Sequence, residues 1–253
     1  MSSIIKSKEQ IELIRESGRI LGTVLRKLKT EAVVGVTLNE LDKFAHDLIL
    51  KMGGKPVFLG YRPYGARVPY PKTLCASVND VIVHGVPNDY ALKSGDVLKL
   101  DLGVNYKGGI SDSAITVPIG KVSKEVLLLI KTTRDALNDA IRVATPKHTL
   151  GDIGHAVERA LSAKNFKVVD GLTGHGVGIE LHEDPVVYNY GNPGTGMELK
   201  PGMVLAIEPM SSLTTSKIVQ WKDDSYATAD GSLSAHFEHT VLITEGKAEV
   251  LTG

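Results

Sequence analysis

Two kinds of apolar pattern alternate along the chain. Ile11, Ile14, Leu21, Leu25 and Leu28 recur at near-helical spacing, as do Leu41, Ala45, Leu48 and Met52. Each set predicts a helix with one buried face. Ser7 with Gln10, and Thr37 with Glu40, carry the signature in which the two ends of a first helical turn cap each other. Gly53-Gly54 stops the second helix. Residues 74–120 are short apolar stretches broken by Gly, Asn and Pro, which predict strands and turns. Helical periodicity returns from Ser123 to about Ala144, where Pro146 ends it. It starts again at Thr149, with Asp152 three residues on, and runs to about Lys164. Strand character then resumes to residue 248.

The order helix, helix, strands thus occurs twice, and short strings match between the two occurrences. Thr37-Leu38-Asn39-Glu40-Leu41 resembles Thr149-Leu150-Gly151-Asp152-Ile153. The segment from Lys93 to Asp101 (KSGDVLKLD) resembles that from Lys200 to Glu208 (KPGMVLAIE). His84-Gly85-Val86 resembles His175-Gly176-Val177. Three matches in one order predict an internal duplication; the plainer alternative is that turn signals look alike in any mixed fold. On the duplication reading, residues 1–253 form a single α+β domain with halves near 5–120 and 121–250. Strands of both halves meet in one central, largely antiparallel sheet, with two helix pairs outside it. Asp101 and Glu208 then stand at the ends of equivalent strands, and a pseudo-twofold axis brings those ends together.

Charge and cysteine content narrow the function classes. The 253 residues carry 29 Lys and Arg against 29 Asp and Glu, a net charge of zero. That balance argues against a nucleic-acid binder or a polybasic membrane surface. The single cysteine, Cys75, rules out an intrachain disulfide and suits a reducing compartment. The longest aliphatic run, Val126 to Ile130, is far too short to span a bilayer, and the N-terminal residues lack an apolar signal core. The expectation is a soluble cytoplasmic protein.

The candidate chemistry is acidic. Asp101 follows Val97-Leu98-Lys99-Leu100, and an acid within a strand is disfavoured unless its charge is satisfied. The plain alternative is a pair with Lys99, which alternation puts on the same side. Asp112 follows a turn containing Gly108 and Gly109, where a turn cap is the plain alternative. His175 lies in TGHGVG, whose glycines let backbone pass close to a ligand, and His182 opens HEDP seven residues later. Glu208 (LAIEP) and Glu238 (HFEHT) both follow apolar residues with no base nearby in sequence. Buried carboxylates of this kind protonate or destabilise the fold unless a cation answers them. Three or four carboxylates with one histidine suit Mn, Co, Fe or Zn. Two neighbouring ions would polarise a carbonyl and hold an attacking hydroxide, as amide hydrolysis requires. No GxSxG elbow, HExxH helix, Walker loop or full GxGxxG is present.

Seven strings together are specific. They are SVNDVIVHGVP (77–87), LKLDLGV (98–104), SDSA (111–114), TGHGVG (173–178), LHEDP (181–185), PGMVLAIEPM (201–210) and SLSAHFEHT (232–240). With them the chain resembles the type I methionine aminopeptidases, in the pita-bread metallopeptidase group, from about residue 5 onward. The resemblance implies the pita-bread fold and removal of the initiator methionine from nascent polypeptides, preferably before a small residue. It implies two divalent ions (Co, Mn, Fe or Zn) held by Asp101, Asp112, His175, Glu208 and Glu238, with Asp112 and Glu238 bridging both. Glu208 would also be the general base, His84 would contact the substrate backbone, and His182 would donate to the carbonyl oxygen. Tyr61, Tyr70, Cys75 and Leu181 would form the methionine pocket. The implied partners are nascent-chain N-termini, close to the ribosome, for a monomer without sequence-specific nucleic acid or membrane.

The chain departs from the family pattern in five places. Residues 62–69 are longer than the usual bacterial segment. Leu181 stands where Phe is common. Gly109-Ile110-Ser111-Asp112 lacks the usual His-Gly. The pocket-rim Trp has only Trp221 or Tyr226 as counterparts, and His236 replaces a common Gln. The type I assignment follows from the lack of a long insertion between His182 and Glu208, of a cysteine-rich extension and of a separate N-terminal domain. A metal-dependent peptidase of other specificity, and a binding module that has lost its metals, are the competing readings.

Overall fold

The computed structural model describes residues 4–62 and 68–253. Most of the long 62–69 segment, singled out above, therefore lies outside the described residues. Helices α1 (Lys8–Glu31) and α2 (Leu38–Lys51) lead into β1 (Lys55–Pro56), β2 (Cys75–Val78), β3 (Val81–Val83), β4 (Val97–Tyr106) and β5 (Gly109–Pro118). Helices α3 (Lys124–Val143) and α4 (Leu150–Ser162) follow. Then come β6 (Lys167–Val168), β7 (Gly174–Gly176), β8 (Glu183–Val187), β9 (Val204–Ile207) and β10 (Met210–Ser212). The remaining strands are β11 (Ile218–Gln220), β12 (Tyr226–Thr228), β13 (Ser234–His236), β14 (His239–Leu242) and β15 (Glu249–Val250). No helix among the described residues is long and apolar enough to cross a membrane.

The helix starts follow from local chemistry. Ser7 Oγ accepts the Gln10 amide and the Gln10 side chain takes the Ser7 amide, which satisfies donors the first turn would leave orphaned. Thr37 and Glu40 repeat the device. At α4 the Asp152 carboxylate takes both the amide and the hydroxyl of Thr149.

Every strand pairing is antiparallel. Among the described residues the hydrogen-bonded ladders form four antiparallel sheets. In one, β4 lies between β5 on one edge and β1 and β2 on the other. In another, the order is β15-β14-β9-β7-β8. These two meet where β5 faces β14, and side chains close the seam. Thr240 Oγ1 accepts the Asp112 amide at 2.9 Å and donates to the Asp112 carbonyl at 2.7 Å. Ser113 Oγ donates to Glu238 O at 2.6 Å, and the Glu238 amide donates to Ala114 O at 2.9 Å. Thr116 Oγ1 makes both main-chain bonds of His236 in the same manner.

Two large apolar clusters flank the strands. One joins α1 and α2 to β4 through Ile14, Leu21, Leu25, Leu41, Leu98 and Leu100. The other joins α3 and α4 to β9 and β14 through Leu129, Leu137, Ile153, Leu205, Ile207 and Val241. Each such side chain contributes about 1.5–3 kcal/mol by burial. Helix α1 also packs on the far end of the chain, because Gly18 and Gly22 leave room for it. A Cβ on either would collide with the carbonyl oxygens of Leu251 and Thr252.

Candidate metal and peptide site

One expectation from the string match fails. Asp101 is not at a strand end; β4 continues past it to Tyr106 before turning at Lys107-Gly108, whereas Glu208 does follow directly on β9. The ladder nonetheless brings the acids together. Asp101 faces Ala114 and Gly103 faces Asp112, so the two aspartates are diagonal neighbours on one face of the hairpin. Gly103 has no side chain to intervene. On the other sheet Ile207 faces His239, which sets Glu208 and Glu238 opposite each other just beyond the β9–β14 ladder. The seam bonds of Ser113 and Thr240 then hold Asp112 beside Glu238.

His175 enters from β7, paired with Ala206. Its Nδ1 bonds the Gly176 carbonyl at 2.9 Å, so the ring proton sits on Nδ1 and Nε2 keeps its lone pair. That Nε2 is 3.5 Å from Glu208 Oε1 and 3.9 Å from Asp112 Oδ2. Burial lowers the His175 pKa to about 4, so the ring is neutral near pH 7. The Lys99 alternative for Asp101 does not hold, because the Lys99 ammonium donates to the carbonyls of Asn79 and Val97.

The carboxylates are strained electrostatically. Burial pushes all four carboxyl groups upward, and for Asp101, Glu208 and Glu238 the neighbouring carboxylates add to the rise. Asp101 Oδ1, Asp112 Oδ1 and Glu238 Oε1 are buried with no hydrogen-bond partner. Asp112, His175 and Glu238 offer ligand atoms within 4.8 Å of one another, as do Glu208, His236 and Glu238. Orphaned oxygens, clustered acids and an imidazole lone pair fit hard-to-intermediate divalent cations.

These groups form the floor of a cavity of about 650 Å³. His84, His182, Tyr61, Tyr70, Cys75 and Leu181 all line it. Cys75 sits opposite Asp101 on the neighbouring strand. Tyr70 is fixed by its hydroxyl, which donates to Leu74 O and Gly85 O. His84 opens to the cavity with its ring edge-on to Tyr226, at 5.8 Å. Of the two candidate rim aromatics, Tyr226 lines the cavity, while Trp221 is not among the lining residues and is 44% exposed.

Three contributions go beyond the roles read from the motifs. Tyr61 bonds His182 Nδ1 at 2.7 Å, and the His182 ring stands edge-on to His175 at 4.4 Å. Glu183 takes the amides of Ile179 and Glu180 and pairs with buried Lys6, which fixes the turn presenting His182. Phe58 packs against Tyr70 in the pocket wall. Tyr61 was expected as a pocket wall and Glu183 lies within the LHEDP string, but no local signal points to the bond of Tyr61 to His182 or of Glu183 to Lys6.

Residues 12–245 match metallopeptidase family M24. The chain is 42% identical over 251 residues to the methionine aminopeptidase of Clostridium perfringens, covering 98% of each. The crystal structure of a methionine aminopeptidase from Thermotoga maritima superposes with a TM-score of 0.93 at 39% identity, over 98% of both chains. A prolidase from Pyrococcus furiosus superposes with a TM-score of 0.79 at 25% identity, over 99% of this chain and 65% of its own.

Proposed function

Since the chain belongs to metallopeptidase family M24, we propose that Asp101, Asp112, His175, Glu208 and Glu238 hold two divalent ions, with Asp112 and Glu238 shared between them. The protein is a metallo-exopeptidase that removes the initiator methionine from polypeptide N-termini. The fold of the group to which it belongs is the pita-bread fold. The observation that carries the ligand assignment is the set of four buried carboxylates and one neutral imidazole, with orphaned oxygens, at the floor of the cavity.

Cobalt, manganese, iron or zinc bound there supplies Lewis-acid polarisation of the scissile carbonyl and lowers the pKa of the attacking water. Glu208 accepts the proton of that water as attack proceeds. With Tyr61 donating to Nδ1, the neutral His182 ring carries its proton on Nε2 and donates it toward the carbonyl oxygen as negative charge develops. His84 contacts the substrate backbone beside the scissile amide. Tyr61, Tyr70, Cys75 and Leu181 receive the methionine side chain, where a soft sulfur and aromatic faces suit a thioether. By analogy with family sites, Gly, Ala or Ser is favoured as the following residue. The whole of 1–253 acts as one catalytic domain with halves near 5–120 and 121–250, a cytoplasmic monomer that meets its substrates near the ribosome.

Release of free methionine from Met-Ala-Ser, Met-Trp and Pro-containing dipeptides by cobalt- or manganese-reconstituted protein tests the reading. Preference for Met-Ala-Ser is expected. Equal turnover of Met-Trp would remove the small-residue claim, and faster cleavage of the proline dipeptides would reassign the specificity.

A further inference from the structure

His236 lies beneath the five residues assigned above and is not among them. It closes β13, two positions before Glu238, so alternation turns both side chains to one face. The residue is 1% exposed. Both its main-chain bonds go to Thr116 Oγ1, so its backbone is pinned to β5. Its Nε2 is 3.3 Å from Glu208 Oε2, yet neither ring nitrogen has a hydrogen-bond partner. At that distance the ring is close to the carboxylate without being aligned to donate to it. Glu238 Oε1, also buried, is likewise unpartnered. The ligand atoms of Glu208, His236 and Glu238 lie within 4.8 Å of one another.

These separations have a chemical reading. Nitrogen and oxygen ligands at about 2.0–2.2 Å from one ion stand roughly 3.0–3.4 Å apart at tetrahedral to octahedral angles. The His236–Glu208 separation of 3.3 Å falls in that range, and the His175–Glu208 separation of 3.5 Å lies just beyond it. Glu208 turns one oxygen toward each ring. An imidazole that is buried, unpartnered and adjacent to two carboxylates of a cation site is placed as a ligand rather than as a packing residue.

Resting on the five-ligand reading, we propose that His236 is a sixth metal ligand, giving the ion held by His175, Glu208 and Glu238 a second imidazole. The centre is then asymmetric. One ion has two nitrogen donors, while the ion beside Asp101 and Asp112 has oxygen donors alone. Nitrogen-rich coordination favours Co, Fe or Zn, and all-oxygen coordination favours Mn or Mg, so the two positions differ in metal preference.

X-ray absorption of the full chain loaded with two equivalents of Co(II) counts imidazoles per metal pair. The intact protein, His236→Gln and His175→Gln are compared, with circular dichroism to verify folding. We expect two imidazoles in the intact protein and one in each variant, with cobalt affinity falling by about tenfold or more. One imidazole in the intact protein, lost in His175→Gln and kept in His236→Gln, overturns the sixth ligand and leaves the five-ligand reading standing. Two imidazoles that both survive His175→Gln overturn the five-ligand reading. Should His236→Gln fail to fold, the count in the intact protein decides alone.

Discussion

The two carboxylate pairs are built on the same ladder geometry but at very different chain separations. Asp101 and Asp112 come from a hairpin with a tight turn at Lys107-Gly108. Glu208 and Glu238 also face each other across paired strands, yet residues 209–237 intervene. That excursion forms β10 to β13, brings Met210 and Tyr226 to the cavity wall, and sets His236 beside Glu208 and Glu238. Two similar strand pairs thus differ in what surrounds them while each presents a pair of acids to the cavity. The β4–β5 hairpin brings Asp101 and Asp112 to the cavity, and the β9–β14 pair brings Glu208 and Glu238 together with wall residues from the excursion between them.

The strongest way to test this equivalence is to neutralise one acid from each hairpin. Asp112→Asn and Glu238→Gln should each lower kcat/KM for methionine release by roughly 10³-fold or more, the scale of losing a group that holds charge in the transition state. Losses differing by more than tenfold, measured at saturating cobalt, would break the equivalence of the two positions proposed as bridging.

A smaller effect separates the two His-Gly-Val strings. His84→Ala should keep both metals by calorimetric titration and lose roughly 10²-fold in kcat/KM. His175→Ala should instead weaken metal binding directly. The reverse pattern would show that string similarity, not position in the cavity, predicts role.

The seam between the sheets is next. Thr240→Val removes the hydroxyl that serves both main-chain groups of Asp112, and Thr116→Val removes the one serving His236. Each should cost about 1–3 kcal/mol in urea unfolding, because buried main-chain groups lose their partners. No change in midpoint would mean the sheets are held by apolar packing alone.

The smallest expected effect is Tyr61→Phe. Loss of its bond to His182 should reduce kcat/KM by about tenfold or less, the range of one neutral hydrogen bond, with metal content unchanged. A rise in KM with kcat preserved would make Tyr61 a pocket wall only.

What the sequence disclosed, and what it hid, follows from range of interaction. The capped starts of α1, α2 and α4 were legible because a capping box is decided within four residues. The five candidate residues were legible because family strings surround each of them, and the structure brings all five to one cavity. The mid-strand position of Asp101 was not, since alternation alone does not mark where β4 turns. The seam that joins the β4–β5 sheet to the β9–β14 sheet depends on side-chain bonds such as Asp112 to Thr240, which join residues far apart in the chain. Tyr61 and His182 are likewise 121 positions apart. Trp221 and Tyr226 were indistinguishable locally; the pairing of Tyr226 with Val83 carries its ring to His84.

The close packing of Gly18 and Gly22 on Leu251 and Thr252 has a consequence for biosynthesis. Helix α1 emerges from the ribosome early, but the backbone that covers those glycines is made more than 225 residues later. At about 5–20 residues per second the delay is on the order of tens of seconds. Throughout it, this face of the first helix has no native partner. Stalled nascent chains ending before residue 251 should therefore remain protease-sensitive within α1, and chains extended by a linker beyond the tunnel should become resistant together with the rest of the fold. Translation speed, rather than final stability, would then govern the yield of folded enzyme.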